Sequence, residues 1–297
     1  MQFWCGTAFM RPAEMPGVAR LLDETGYHGM LVPDHLVYPR ELHSPYPGSP
    51  TGKPFWAPQT PWPDPWVLIG AMAAVTTRLH FTNSVYVAPA RPLLEVAKQV
   101  ATASVLSGGR VSLATGAGWM REEFDLLGQD FTNRGRRLDE MIPALRELWR
   151  GGWVSWHGEL YDIPELMMEP HPEAPVPILC GGESEAAMRR AARLCDGWLG
   201  TGYTWDEAVE RVAALQRYRR EYGRHEQPFE IIVALREPPT VELFRRADDI
   251  GITGAMCLPW AGIDEVHGGD HRDLQHDAER YRAPIERFAE QVVDAFR

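Results

Sequence analysis

Asp34 and His35 stand side by side in HGMLVPDHL (28–36), where they end an apolar run of Met30, Leu31 and Val32. A carboxylate next to an imidazole can bind a metal, form an acid–base pair, hold a cofactor or cap the next helix. Histidine as a residue type titrates near neutrality, which suits it to moving protons. The plainer alternative is a helix cap beside a hydrogen-bonded histidine, and the pair alone does not separate these readings.

Three further segments have chemical potential. In CGGESE (180–185), Gly181 and Gly182 free the backbone and Ser184 suits a helix N-cap. Exposed amides at such a helix start form a phosphate site. An ordinary strand-to-helix turn would use the same residues, and Glu183 and Glu185 would repel an anion unless turned outward. In ATGAGW (114–119), Gly116, Ala117 and Gly118 allow a flat ligand to approach the backbone, and Trp119 would wall it or fill the space above the sheet. Just beyond, Glu122 and Glu123 suit the first turn of a helix, where acidic side chains complement the dipole. NSVYVAP (83–89) is the third segment. By contrast, His267, Asp270, His271 and His276 in HGGDHRDLQH resemble metal ligands only if they share a helix. Gly268 and Gly269 make a helix poor there, so a loop without metal is expected. HExxH, GxSxG and GxxxxGK[ST] do not occur.

Positioning these segments requires a scaffold. Eight apolar runs (3–9, 29–34, 79–89, 110–118, 176–182, 197–202, 229–235 and 254–259) nearly all alternate with helix-patterned stretches. That alternation predicts a parallel sheet. Eight repeats in 297 residues predict a single (β/α)8 barrel domain over 1–297. Its catalytic face would collect the four segments at the strand C-termini. A doubly wound sheet is the rival, but CGTAF lacks its glycine fingerprint, and GAGWMR has Arg121 in place of the third glycine.

Two insertions interrupt the alternation. Residues 36–66 are dense in proline and aromatics, and neither helix nor central strand accommodates them. Tyr38, Tyr46, Phe55, Trp56, Trp62 and Trp66 argue for an ordered loop over the barrel mouth instead of a linker. Residues 153–164 alternate as a hairpin does, with Trp153, Trp156 and Tyr161 expected to pack on the outer helices.

A net charge of -11 argues against a nucleic-acid footprint, which needs a basic stripe. Cys5, Cys180, Cys195 and Cys257 form no CxxC motif, which speaks against a zinc knuckle or thioredoxin site, and so few suit a reducing compartment. No apolar run approaches the roughly 20 residues of a membrane span. The start MQFWCGTAFM lacks the basic and apolar regions of a signal peptide. A cytoplasmic protein without membrane partners is expected.

In order and spacing, PDHL (33–36), TNSVYVAPARPLLEVAKQVATASVLSGGRVSLATGAGWMREEF (82–124) and VPILCGGESEAAMRRAARLCDGWL (176–199) resemble the luciferase-like monooxygenase superfamily. Within it they are most similar to the coenzyme F420 (deazaflavin)-dependent oxidoreductases, and the match is strongest over residues 3–202. The resemblance implies a TIM barrel of the bacterial luciferase type, with insertions at the C-terminal face and the cofactor ring at the strand ends. Asp34 and His35 match the catalytic pair that faces the deazaflavin. Ser84 and Val85 match a non-prolyl cis peptide against the ring. Ala117 and Gly118 match backbone contacts to the cofactor tail, and Gly181, Gly182 and Ser184 its phosphate loop. A sugar-phosphate branch of the family carries an acidic residue where this chain has Trp119, and its phosphate-binding lysines lack clear counterparts. Trp119 and Trp56 therefore suggest a hydrophobic or aromatic substrate. The implied reaction is hydride transfer, with His35 moving the proton and Asp34 orienting it or bonding to the ring. The alternatives are an FMN-dependent monooxygenase and a non-catalytic cofactor-binding protein. Since family members are often dimers, a homodimer is the expected assembly.

Overall fold

The computed structural model describes residues 1–260 and 278–297. The predicted loop with His267, Asp270, His271 and His276 lies outside the described residues.

The strands in chain order are β1 (Gln2–Gly6), β2 (Gly29–Val32), β3 (His80–Asn83), β4 (Leu113–Thr115), β5 (Trp153–His157), β6 (Asp162–Met167), β7 (Ile178–Gly181), β8 (Gly197–Tyr203), β9 (Glu230–Leu235) and β10 (Gly254–Cys257). Eight of them pair in parallel in the order β3-β2-β1-β10-β9-β8-β7-β4. The remaining edge is stitched by bridges from Phe81 to Val111 and from Tyr86 to Thr115, which close the barrel. The helices are α1 (Met15–Glu24), α2 (Pro65–Ala73), α3 (Leu93–Ser107), α4 (Arg121–Leu126), α5 (Arg134–Leu148), α6 (Glu185–Leu194), α7 (Trp205–Glu221), α8 (Val241–Asp249) and α9 (Arg282–Gln291).

Strand alternation explains the two layers of the core. Trp4, Leu31, Ala114, Leu179, Leu199 and Ile232 point inward and fill the barrel with Val85 and Met256. Their neighbours Phe3, Met30, Val32, Phe81, Leu113, Ile178 and Ile231 point outward, into the layer under the helices. The runs 79–89 and 110–118 give shorter strands than their apolar lengths suggest. Between the two closing bridges the chain advances five residues on the β3 side (81 to 86) and four on the β4 side (111 to 115). The extra residue forces a bulge beyond Asn83 and ends β3.

At the N-terminal end of the barrel, Asp23 and Arg110 each gather several partners. Asp23 at the close of α1 accepts from the amides of Thr77, Arg78 and Leu79 at 2.7–2.9 Å and from the Thr77 hydroxyl at 3.1 Å. The Arg110 guanidinium donates to the carbonyls of Leu79, Ala73 and Thr76. His28 and His80 stack with ring centroids 4.6 Å apart.

The 153–164 insertion is a hairpin of β5 and β6. Glu140 of α5 pins its tip, accepting from the Trp156 indole and from the amides of Glu159, Leu160 and Tyr161. Trp156 and Tyr161 pack on the core as expected. Trp153 does not: it is 68% exposed, because alternation along β5 turns it away from the helix that holds the tip.

Candidate functional site

The four segments singled out in the sequence follow β2, β3, β4 and β7, which are consecutive around the closed barrel. They share one stretch of its C-terminal rim. Asp34 and His35 both stand there, but the structure separates their tasks. Asp34 is turned inward with its side chain 2% exposed. Its Oδ2 accepts from the Val87 amide at 2.9 Å and from Arg91 Nη1 at 2.8 Å, and its Oδ1 from Arg91 Nη2 at 2.7 Å. Burial pushes the Asp34 carboxyl above its ordinary value, and the Arg91 charge and the Val87 N–H oppose that push. Asp34 thus fastens the segment that follows the bulge. The expectation that it orients His35 is corrected, because both its oxygens are engaged elsewhere.

His35 has a different partner. Its Nδ1 lies 3.3 Å from Glu123 Oε1, and the same oxygen accepts from the Leu36 amide at 2.8 Å and the Val37 amide at 3.5 Å. Glu123 sits in the first turn of α4, as its dipole preference predicts. The next residue, Phe124, is fully buried against Val87 and Ala90 and anchors this short helix. Glu122 completes the arrangement, accepting from the amides of His43 at 2.7 Å and Ser44 at 3.1 Å. Burial opposes its charge, but hydrogen bonds from Ser44 and His43 hold its carboxyl down to about 2. The two adjacent carboxylates therefore tie the first part of the 36–66 segment to α4.

That segment folds over the mouth as an ordered aromatic loop. The rings of Trp56, Trp62 and Trp119 lie 5.2, 5.2 and 5.7 Å from the His35 ring. Tyr46 meets Trp56 at 4.8 Å and Trp119 at 5.1 Å, mostly edge to face, the geometry that aromatic quadrupoles prefer. Trp56 is only 8% exposed. The buried Trp62 Nε1 has no hydrogen-bond partner among the described residues. Asp64 ends the loop by capping α2, accepting from the amides of Trp66 and Val67.

The Ser84–Val85 peptide bond is cis, at the position the resemblance assigns to such a bond. The Val85 side chain then fills a notch made by two glycines. A Cβ on Gly116 would lie 2.8 Å from Val85 Cγ2, and one on Gly181 would lie 2.4 Å from Val85 Cγ1. Gly118 adopts a φ of 86°, and its carbonyl accepts from Arg134 Nε at 3.0 Å. Half-buried Ala117 precedes it.

Beyond β7, Gly182 has a φ of 112°, a conformation that favours glycine. Ser184 caps α6 by accepting from the Ala187 amide at 3.2 Å. Glu183 is turned away, accepting from the hydroxyls of Thr201 and Tyr203, and Glu185 pairs with Arg189 at 2.8 Å. Both carboxylates are engaged away from the first amides of α6, so a helix start of this kind would fit an anionic group such as a cofactor phosphate. Among the described residues no three His, Cys, Asp or Glu gather as a metal site.

Glu123 and Arg91 were not singled out as site residues in the sequence. Glu123 is 88 residues from His35, and the pair of glutamates signalled only a helix start. Arg91 stands between Ala90 and Pro92 in an otherwise apolar segment, 57 residues from Asp34.

Comparison with known proteins agrees with this architecture. The family model of luciferase-like monooxygenases matches residues 3–237. An uncharacterized protein of Mycobacterium tuberculosis (strain ATCC 25618 / H37Rv) is 38% identical over 276 residues, 93% of each chain. Among solved structures, the monooxygenase RslO1 from Streptomyces bottropensis superposes with a TM-score of 0.72 over 100% of both chains, at 17% identity. An F420-dependent secondary alcohol dehydrogenase bound to an F420–acetone adduct gives a TM-score of 0.71 over 98% of both, at 15% identity. Those two likenesses establish the fold. With most of its length under the family model, this (β/α)8 barrel belongs to the luciferase-like monooxygenase family.

Proposed function

We propose that the protein is a coenzyme F420-dependent oxidoreductase acting on a small hydrophobic substrate. The observation that carries this reading is His35, enclosed by three tryptophans on the rim beside the cis Ser84–Val85 bond. When bound, the deazaflavin supplies hydride chemistry; the protein supplies binding, orientation and proton handling. Gly181, Gly182 and the Ser184-capped start of α6 would hold the phosphate, and the backbone at Ala117 and Gly118 would take the tail. Ser84 and Val85 would back the ring. Asp34 contributes by fixing Val87 and Arg91, which hold the segment carrying that bond. His35 would exchange the proton, and Trp56 and Trp119 would exclude water and contact the substrate. The aromatic wall suits an uncharged ligand, since a charged one would lose its hydration without a countercharge.

The rival reading is an FMN-dependent monooxygenase; the fold neighbour RslO1 is described as a monooxygenase. Titration with F420 and, separately, with FMN, followed by cofactor fluorescence, tests the choice. Saturable F420 binding is expected, and binding of FMN alone would overturn the proposal. With F420 bound, turnover on a panel of hydrophobic alcohols and carbonyls tests the non-catalytic alternative.

A further inference from the structure

We propose that Glu123 is the positioning residue of His35, fixing the imidazole as its Nδ1–H tautomer and so making Nε2 the atom that exchanges the proton. The role of that proton in turnover rests on the F420 reading above; the tautomer itself does not. The argument begins at Glu123 Oε1. It accepts the Leu36 N–H at 2.8 Å, so it presents lone pairs on that side. His35 Nδ1, at 3.3 Å from the same oxygen, must then be the donor. Neutral histidine has one N–H, so Nε2 keeps its lone pair. The hydrogen bond made by one ring nitrogen thereby decides the state of the other.

Enclosure makes this assignment firm. The side chains of His35 and Glu123 are 11% and 5% exposed, which leaves little water to compete for Nδ1. Phe124 anchors α4, and the Leu36 amide holds the Glu123 carboxylate in place beside the ring. The other nearby carboxylate, Asp34, is engaged by Arg91 and Val87. The rings packed on His35 are those of Trp56, Trp62 and Trp119, and an indole N–H offers no acceptor to Nδ1.

The proton balance follows. An alcohol oxidised to a carbonyl by hydride loss would also have to give up its hydroxyl proton. Nε2 accepts that proton, and the resulting imidazolium is held by the Glu123 carboxylate. In the reverse direction the same Nε2–H returns it.

The test needs neither substrate nor cofactor. Nitrogen-15 NMR of histidine-labelled protein at mildly alkaline pH reads the tautomer of His35, with His35→Gln assigning its signals. The wild type is expected to show Nδ1–H. Glu123→Gln, whose amide oxygen still accepts, should keep it. Glu123→Leu should lose the Nδ1–H pattern and take the Nε2–H form, while the other nine of the ten histidines stay unchanged. An Nε2–H tautomer in the wild type would overturn the proposal even if Glu123→Leu failed to fold. So would an unchanged Nδ1–H signal in folded Glu123→Leu. F420 titration of the wild type and Glu123→Gln runs alongside. Absence of binding there refutes the cofactor reading and leaves the tautomer result standing.

Discussion

At opposite ends of the barrel two buried carboxylates gather backbone amides. Asp23, at the N-terminal end, spends its oxygens on four donors from residues 77–79. Glu123, at the C-terminal rim, takes two loop amides on one oxygen and then a histidine ring on that same oxygen. The chemistry of the group is alike; the company differs. Donors from one short loop make a joint, whereas a histidine ring added to the same acceptor is, on the proposal above, held in one orientation. The histidines follow the same division. His28 and His80 stack on each other below, and His35 stands alone among indoles above.

The contrast is open to measurement. The largest effect is expected from Asp23→Ala, which strands several donors at once and should cost about 4 kcal/mol in urea unfolding. A smaller loss would show that loop 77–79 re-forms its bonds with water. Acidification comes next. Burial, then the neighbouring charges of His80 and the N-terminus, lowers the His28 pKa from 6.5 to about 4. Between those values the unfolded chain binds more protons than the folded one, so stability rises with pH there. It is fully present above about 6.5 and is lost as pH falls towards 4, by about 3 kcal/mol from this histidine. His28→Gln should flatten that stretch of the stability profile, and an unaltered slope would assign it to other groups. Asp23 adds a further acid-side loss at lower pH, because its amide bonds outweigh burial and lower its pKa. Glu123→Leu should cost about 2 kcal/mol, since only its loop amides and one ring lose their acceptor. A cost equal to that of Asp23→Ala would show that Glu123 is as much a structural joint as Asp23. Least of all, Trp153→Ala on the open face of the hairpin should stay within about 0.5 kcal/mol in thermal unfolding.

Much of this was legible from local signals. Strand alternation, the Ser184 cap and the hairpin at 153–164 rest on neighbours in the chain, and the structure keeps them. The barrel followed from counting those local units. What escaped was set by return of the chain from afar. His35 and Asp34 are adjacent in sequence, yet each found its partner more than fifty residues away, in Glu123 and Arg91. The adjacent Glu122 and Glu123 suit a helix dipole by backbone position, but that pattern is silent about where their oxygens reach. The run 79–89 is longer than β3 for a related reason: apolar character continues past Asn83, but the bulge interrupts the ladder, which resumes only at the Tyr86–Thr115 bridge.

The notch filled by Val85 carries a lesson for redesign. Because Gly116 and Gly181 each lack the room for even one methyl group against this side chain, the three positions behave as one volume shared at the ends of β3, β4 and β7. A methyl can be transferred across that volume but not added to it. Gly181→Ala alone would be rejected by crowding, whereas Gly181→Ala joined to Val85→Ala moves bulk from one strand to another. Anyone reshaping the rim for a new ligand must treat these residues as a single unit of exchange.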